Sequence, residues 1–187
     1  MAVDYQQVYR DLHDFIVEAT GLDTSAVRPA YQNAPTSPSQ DRGTLVTINL
    51  INQTELGIDS RQYANDGTDL AESVYGDRNI TASINVYADD DSHAQEAQNV
   101  IENIVLYLRS SAGSEFLNGK ELGYLRHGSV LNLSALQNGN WENRRQVDIE
   151  FHIIVSVENA VNAIETASVN WQYEGSGTIT GTIEVSE

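Results

Sequence analysis

The sequence predicts an α+β fold, an antiparallel or mixed β-sheet with two main helices packed on one face, and three patterns lead to it. Ile80, Ala82, Ile84 and Val86 alternate with Asn79, Thr81, Ser83 and Asn85, which is the period of a strand with one buried face. Val147, Ile149, Phe151, Ile153, Val155 and Val157 alternate over a longer run against Gln146, Asp148, Glu150, His152 and Ser156. Two further segments carry apolar residues at helical spacing, and such a stripe needs a sheet face or another helix to cover it. A long proline-containing arm and a C-terminal β-hairpin complete the expectation.

Taken in order, the first element is a helix from Asp4 to Thr20, with Tyr5, Val8, Tyr9, Leu12, Phe15, Ile16 and Ala19 on one stripe. Asp4 suits the N-cap with Gln7 as a box-like partner, and Gly21 suits the exit because it tolerates positive φ. From Leu22 to Arg42 the periodicity fails, and Pro29, Pro35 and Pro38, all the prolines of the chain, fall here. This reads as an irregular arm, either a contact element or a plain connector. Gly43 to Asn52 is β-rich. Gln53 to Asp77 is polar, broken by Gly57, Gly67 and Gly76, and is either an excursion or a pair of twisted strand ends.

The strand Arg78 to Ala88 leads into a second helix, Ser92 to Ser110, striped by Ala94, Ala97, Ile101, Ile104, Val105 and Leu108. Ser92 with Gln95 repeats the capping-box pattern, and Gly113 marks the exit. A short helical or turn segment follows at Glu115 to Leu122, then a short strand at Ser129 to Leu133. The strand Trp141 to Val157 is the longest and belongs at the centre of the sheet. Glu165 to Tyr173 and Thr178 to Val185 flank Glu174, Gly175, Ser176 and Gly177 as a hairpin.

A length of 187 residues suits one domain, read as an α+β body over 1–158 and C-terminal strands over 159–187 as an extension. Asp and Glu number 27 against 10 Lys and Arg, with Lys120 the sole lysine, for a formal charge of −17. Such a surface repels polyanions and argues against gripping DNA or an anionic membrane. There is no cysteine, hence neither a disulfide framework nor a thiolate nucleophile. The N-terminal segment lacks the pattern of a secretory signal, and no run approaches the roughly 18 apolar residues of a membrane span. A soluble, cytosolically made protein is expected.

The chain carries little that points to catalysis. Asp89, Asp90 and Asp91 lack the alternating ligands and turn glycine of a calcium loop, and they precede a helix whose N-terminal dipole favours negative charge. His13, His93, His127 and His152 are scattered, without the spacing of a helical zinc site. There is no nucleophile elbow, and Gly175-Ser176-Gly177 lacks the lysine and helix of a phosphate loop. Asp148 and Glu150 share the polar face of the long strand, which reads as solvated or interfacial. No cofactor and no catalytic or metal-binding residue is expected.

Two motifs carry a resemblance: Tyr31-Gln32-Asn33-Ala34-Pro35 in the arm, and Trp141-Glu142-Asn143-Arg144-Arg145-Gln146-Val147-Asp148-Ile149-Glu150-Phe151 opening the long strand. With the order helix, arm, strand, "ITASINVYADD" strand, helix and "WENRRQVDIEFHI" strand, the chain resembles the phage neck and tail terminator family over most of Met1 to Val157. The resemblance weakens after Asn159. It implies a non-enzymatic structural subunit of a ring, usually a homohexamer, located in the virion neck. Such a ring sits on the last ring of tail-tube protein, stops tube polymerisation and offers its other face to a head-completion or connector protein. Viral DNA passes through its channel without tight binding, and no membrane is involved. Another head–tail connector or tube-like subunit, or an α+β hydrolase or ligand-binding module, is the alternative. The interface candidates are Tyr31, Gln32, Asn33, Pro35, Trp141, Arg144 and Arg145. Adjacent strand positions face opposite ways, so one arginine is expected to turn inward and the other outward.

Overall fold

The computed structural model describes residues 4–30, 43–65, 70–89, 95–137, 140–161, 166–173 and 177–184. Helix α1 spans Tyr5–Thr20; the Asp4 carboxylate accepts from the amides of Gln6 and Gln7, and Gly21 closes the helix at φ 68°. The Gln7 side chain turns away from the cap to donate to Asp11 at 2.9 Å, so the expected capping box is only half made. Helices α2 (Glu96–Arg109) and α3 (Ser111–Asn118) follow later in the chain; α2 is the second main helix, and α3 is the short helical segment expected at Glu115 to Leu122, begun four residues earlier.

The main sheet takes β1 (Val27–Pro29), β2 (Leu45–Asn65), β3 (Leu70–Asp89), β4 (Leu122–His127), β5 (Leu131–Asn132), β6 (Ala135–Gln137) and β7 (Asn140–Val161). Its order is β1-β2-β3-β7-β4, with β5 and β6 also laid against β7. Only β1 with β2 is parallel, which makes the sheet mixed. Strand β7 is central, as its length required: β3 lies along one side, and β4, β5 and β6 lie end to end along the other. Strands β8 (Thr166–Tyr173) and β9 (Gly177–Glu184) pair antiparallel in a separate two-stranded sheet.

The alternation is borne out in the packing. Ladder partners Val46 and Val86, Ile48 and Ile84, Ala82 and Ile149, Ile80 and Phe151 all turn one buried face to the helices. Ala97, Ile101, Ile104 and Leu108 of α2 and Leu12, Phe15 and Ile16 of α1 fill the other half of the core. Burying each large side chain contributes about 1.5–3 kcal/mol, which makes this layer the main source of stability. The Phe15 ring joins all three helices, 5.2 Å from the Tyr107 ring and 5.7 Å from that of Phe116.

Several expectations are corrected here. The irregular arm does not start at Leu22: Thr24–Ala26 form a 3-10 turn and β1 pairs with β2, with the Ala30 amide donating to Ile48 at 2.8 Å. Residues 31–42 lie outside the described residues. The polar stretch from Gln53 is the pair of strand ends: β2 and β3 run on beyond the core, and β7 continues beside them to Val161. Beyond the body they form a three-stranded ribbon. Gly113 is not the exit of α2 but lies inside α3, where a Cβ would overlap the Tyr107 carbonyl; Ser110 separates the helices and caps the second. The expected start of α2 at Ser92 lies outside the described residues.

Candidate assembly interface

The two arginines of the sequence motif lie on opposite faces of β7, as strand geometry requires. Arg145 faces the helices: its Nε donates to Gln98 of α2 at 2.8 Å and its Nη1 to Asn132 and, at 3.0 Å, to Ser134. Arg144 faces away, donating to Asn85 at 2.8 Å while its guanidinium lies 5.2 Å from the Tyr87 ring centre. The same Ser134 hydroxyl accepts from the Arg144 amide, and the Leu133 amide donates to the Arg144 carbonyl at 2.9 Å. The pair therefore ties β5 and the turn after it to β7, and each guanidinium has partners in its own chain. The backbone of Trp141 pairs with Leu136. Tyr31, Gln32, Asn33 and Pro35 lie outside the described residues.

Sequence reasoning did not single out the base of the ribbon. Gly57, Ile58 and Asp59 of β2 lie opposite Gly76 alone, a bulge made possible by φ 74° at Gly57. The bulge turns Asp59 onto Arg78, whose guanidinium donates to it twice, at 2.8 and 3.0 Å, with Glu55 3.6 Å away. Hydrogen bonding to Arg78 lowers the Asp59 pKa, and the same bond raises that of Arg78. Gly76 leaves room for this clamp, since a Cβ would fall 2.9 Å from Arg78 Cζ and closer to the Asp59 carboxylate. The consequence is at Ile58, which the clamped bulge leaves 98% exposed.

The remaining exposed large apolar side chains are distributed unevenly. Ile51, Leu56 and Tyr63 join Ile58 on β2. Leu125, Leu131, Leu133 and Leu136 lie along β4 to β6 and the turn between the last two, and Ile154 and Val157 lie on β7 beyond the end of β4. Among the described residues only Leu106, on α2, falls outside these two groups. The groups occupy opposite edges of the sheet. From Asn49 onward the outer side of β2 pairs with no described strand, and the same holds for β7 from Ile154.

Two shallow clefts adjoin these edges. One of about 320 Å³ is lined by Ile58, Ser60, Gln62, Tyr75, Asp77 and Ile154. The other, about 240 Å³, lies where β4 begins, between α1 and β7, and contains the Lys120–Asp11 ion pair at 3.2 Å. Glu150 is held by Arg126 at 2.8 and 2.9 Å, and Asp148 accepts from Gln146. His13 contacts Asp14, His127 contacts Arg109 and His152 contacts Asp77, each at a separate place. Among the described residues no cluster of His, Cys, Asp or Glu has the arrangement of a metal site. His93, Asp90 and Asp91 lie outside them. No described helix is long and apolar enough to cross a membrane.

A family model described as "Phage neck terminator protein" matches residues 6–177, a range that extends past Asn159 through β8. No curated protein matches the chain. Among solved structures, a chain of the "Virion of native gene transfer agent (GTA) particle" is similar at 18% identity, covering 80% of this chain and 92% of that one, with a TM-score of 0.35.

Proposed function

The chain belongs to the phage neck terminator family, and from that premise we propose that it acts as a homohexameric ring that caps the tail tube, stops its polymerisation and joins the tail to a head-completion or connector protein. It is a structural protein of the virion neck. The proposal extends this to the ring, to the tail-tube protein and connector as partners, and to a role without catalysis. The family match over 6–177 carries the reading, because it takes in every element of the main sheet and all three helices. In the same reading, Tyr31, Gln32, Asn33 and Pro35 contact a neighbour, and Trp141, Arg144 and Arg145 serve the interface by fixing the β5–β6 edge.

A formal charge of −17 on each subunit supports a channel of acidic or neutral lining, through which DNA moves without being held. Negative-stain imaging of the purified protein mixed with tubes of the tail-tube protein from the same phage tests the reading. The expected result is a sixfold ring seated on tube ends. Tubes with bare ends at saturating protein would overturn it.

A further inference from the structure

We propose that the C-terminal hairpin β8–β9 is a strap that closes on the free edge of β7 in its own chain, extending the ribbon from three strands to five. This goes beyond the ring reading and does not depend on it. On the side away from β3, β7 pairs in turn with β6, β5 and β4, the last partners being Ile153 and Leu122. From Ile154 to Val161 that side pairs with no described strand, and Ser156 to Asn159 are exposed. An open strand edge is a row of unpaired amides and carbonyls, which proteins cover or blunt rather than leave bare. The hairpin lacks support in the complementary way. Two strands alone are marginal in water, and among the described residues β8 and β9 pair only with each other.

Length and connection identify the occupant as the same chain's own hairpin. The open edge from Ile154 to Val161 has the same length as β8, eight residues. Four residues separate Val161 from Thr166, which lies within the roughly two to five of ordinary hairpin loops. Strand β8 can therefore turn back antiparallel along β7, and consecutive strands usually are neighbours. A loop of this length sets Val161 opposite Thr166, Val157 opposite Asn170 and Ile154 opposite Tyr173. The residue pattern agrees with that register. Ladder pairs Ala167 with Ile183 and Trp171 with Ile179 put the apolar residues of the hairpin on one of its faces. In the closed form that face continues the one on which Ile154 lies, where Ile58, Tyr75 and Ile154 already line a cleft. A slip of one residue would send it to the other side of the ribbon.

The absence of native cysteine allows the register to be tested in the full chain. Val157→Cys combined with Asn170→Cys places the two thiols opposite one another in the closed strap, within the roughly 4.4–6.8 Å between Cα atoms that a disulfide spans. Ser156→Cys combined with Asn170→Cys places them on opposite faces. Mild oxidation at high dilution, read on non-reducing gels, should give a cross-link within one chain for the first variant and none for the second. Hydrogen exchange gives a second readout, because alternate amides of residues 154–161 point away from β3. Those amides should be protected in the unmodified chain and lose protection in Asn170→Pro, since proline cannot donate to a ladder, while Ile80 to Val86 keep theirs. Cross-links that form only between chains would put the hairpin on another copy and overturn the proposal. Equal yields from the two variants, none from either included, would overturn it too, as would outward amides that exchange alike with and without Asn170→Pro.

Discussion

Gly113 lies where α3 turns back on the end of α2, and a Cβ there would overlap the Tyr107 carbonyl oxygen. Gly113→Ala should therefore destabilise by about 1–3 kcal/mol, the usual cost of overpacking, read as a lower denaturation midpoint with unchanged m-value. Arg144 and Arg145 differ in what their loss should do. Arg145→Ala removes the bonds to Gln98, Asn132 and Ser134, so amide exchange should quicken across 131–137 and stay unchanged in α1. Arg144→Ala removes the stacking on Tyr87 and leaves Asn85, 7% exposed, without its guanidinium partner. Its exchange effect should centre on the opposite face, at 85–87. Equal effects from the two variants would contradict the division of roles.

Elements differ in how far the sequence betrays them. Strand β7 was legible because Val147, Ile149, Phe151 and Ile153 are buried on one face while their neighbours are not, and that contrast is what alternation reports. The outer halves of β2 and β3 gave no such signal, since the β2 side chains there face solvent on both sides and lose the contrast. Strands β1 and β4 were missed for a different reason. The first is three residues ending in Pro29, and the second carries a register break between Tyr124 and Arg126. Gly113 was misread because a glycine needed for close approach looks in sequence like one needed for a turn. The arginine pair was legible as a motif; the Asp59–Arg78 clamp was not, because the bulge that joins them is a property of pairing.

That clamp makes a prediction about pH. The Asp59 pKa is lowered in the folded state, so its contribution is fully present above the ordinary carboxylate pKa, about 3.9. It is lost as pH falls through the lowered folded value. Exchange protection of residues 55–62 and 73–78 should hold at neutral pH and decline on acidification below that range. In Asp59→Asn the acid-dependent change should be absent. An Asp59→Asn ribbon that still loosens with acid would assign the effect to other carboxylates.

At the scale of the whole molecule, a helix-covered body supplies the stability, and a ribbon of β2, β3 and β7 runs on beyond it with the β2 side chains exposed and mostly polar. Ile104→Ala in the body should cost about 2–5 kcal/mol by opening a cavity, and its damage to assembly should follow its damage to folding. The strong negative charge makes a further expectation: the protein should show no binding to double-stranded DNA at moderate salt tighter than about 10⁻⁶ M, the upper end of non-specific affinity. A gel-shift titration checks this. The central claim is that the chain ends tube growth, and the most direct measurement is the length of tail tubes polymerised from the tail-tube protein of the same phage with rising amounts of this chain. Mean tube length should fall as the ratio of chain to tube protein rises, with capped ends that no longer extend when fresh tube protein is added. Tubes of unchanged length whose ends continue to grow would contradict the account.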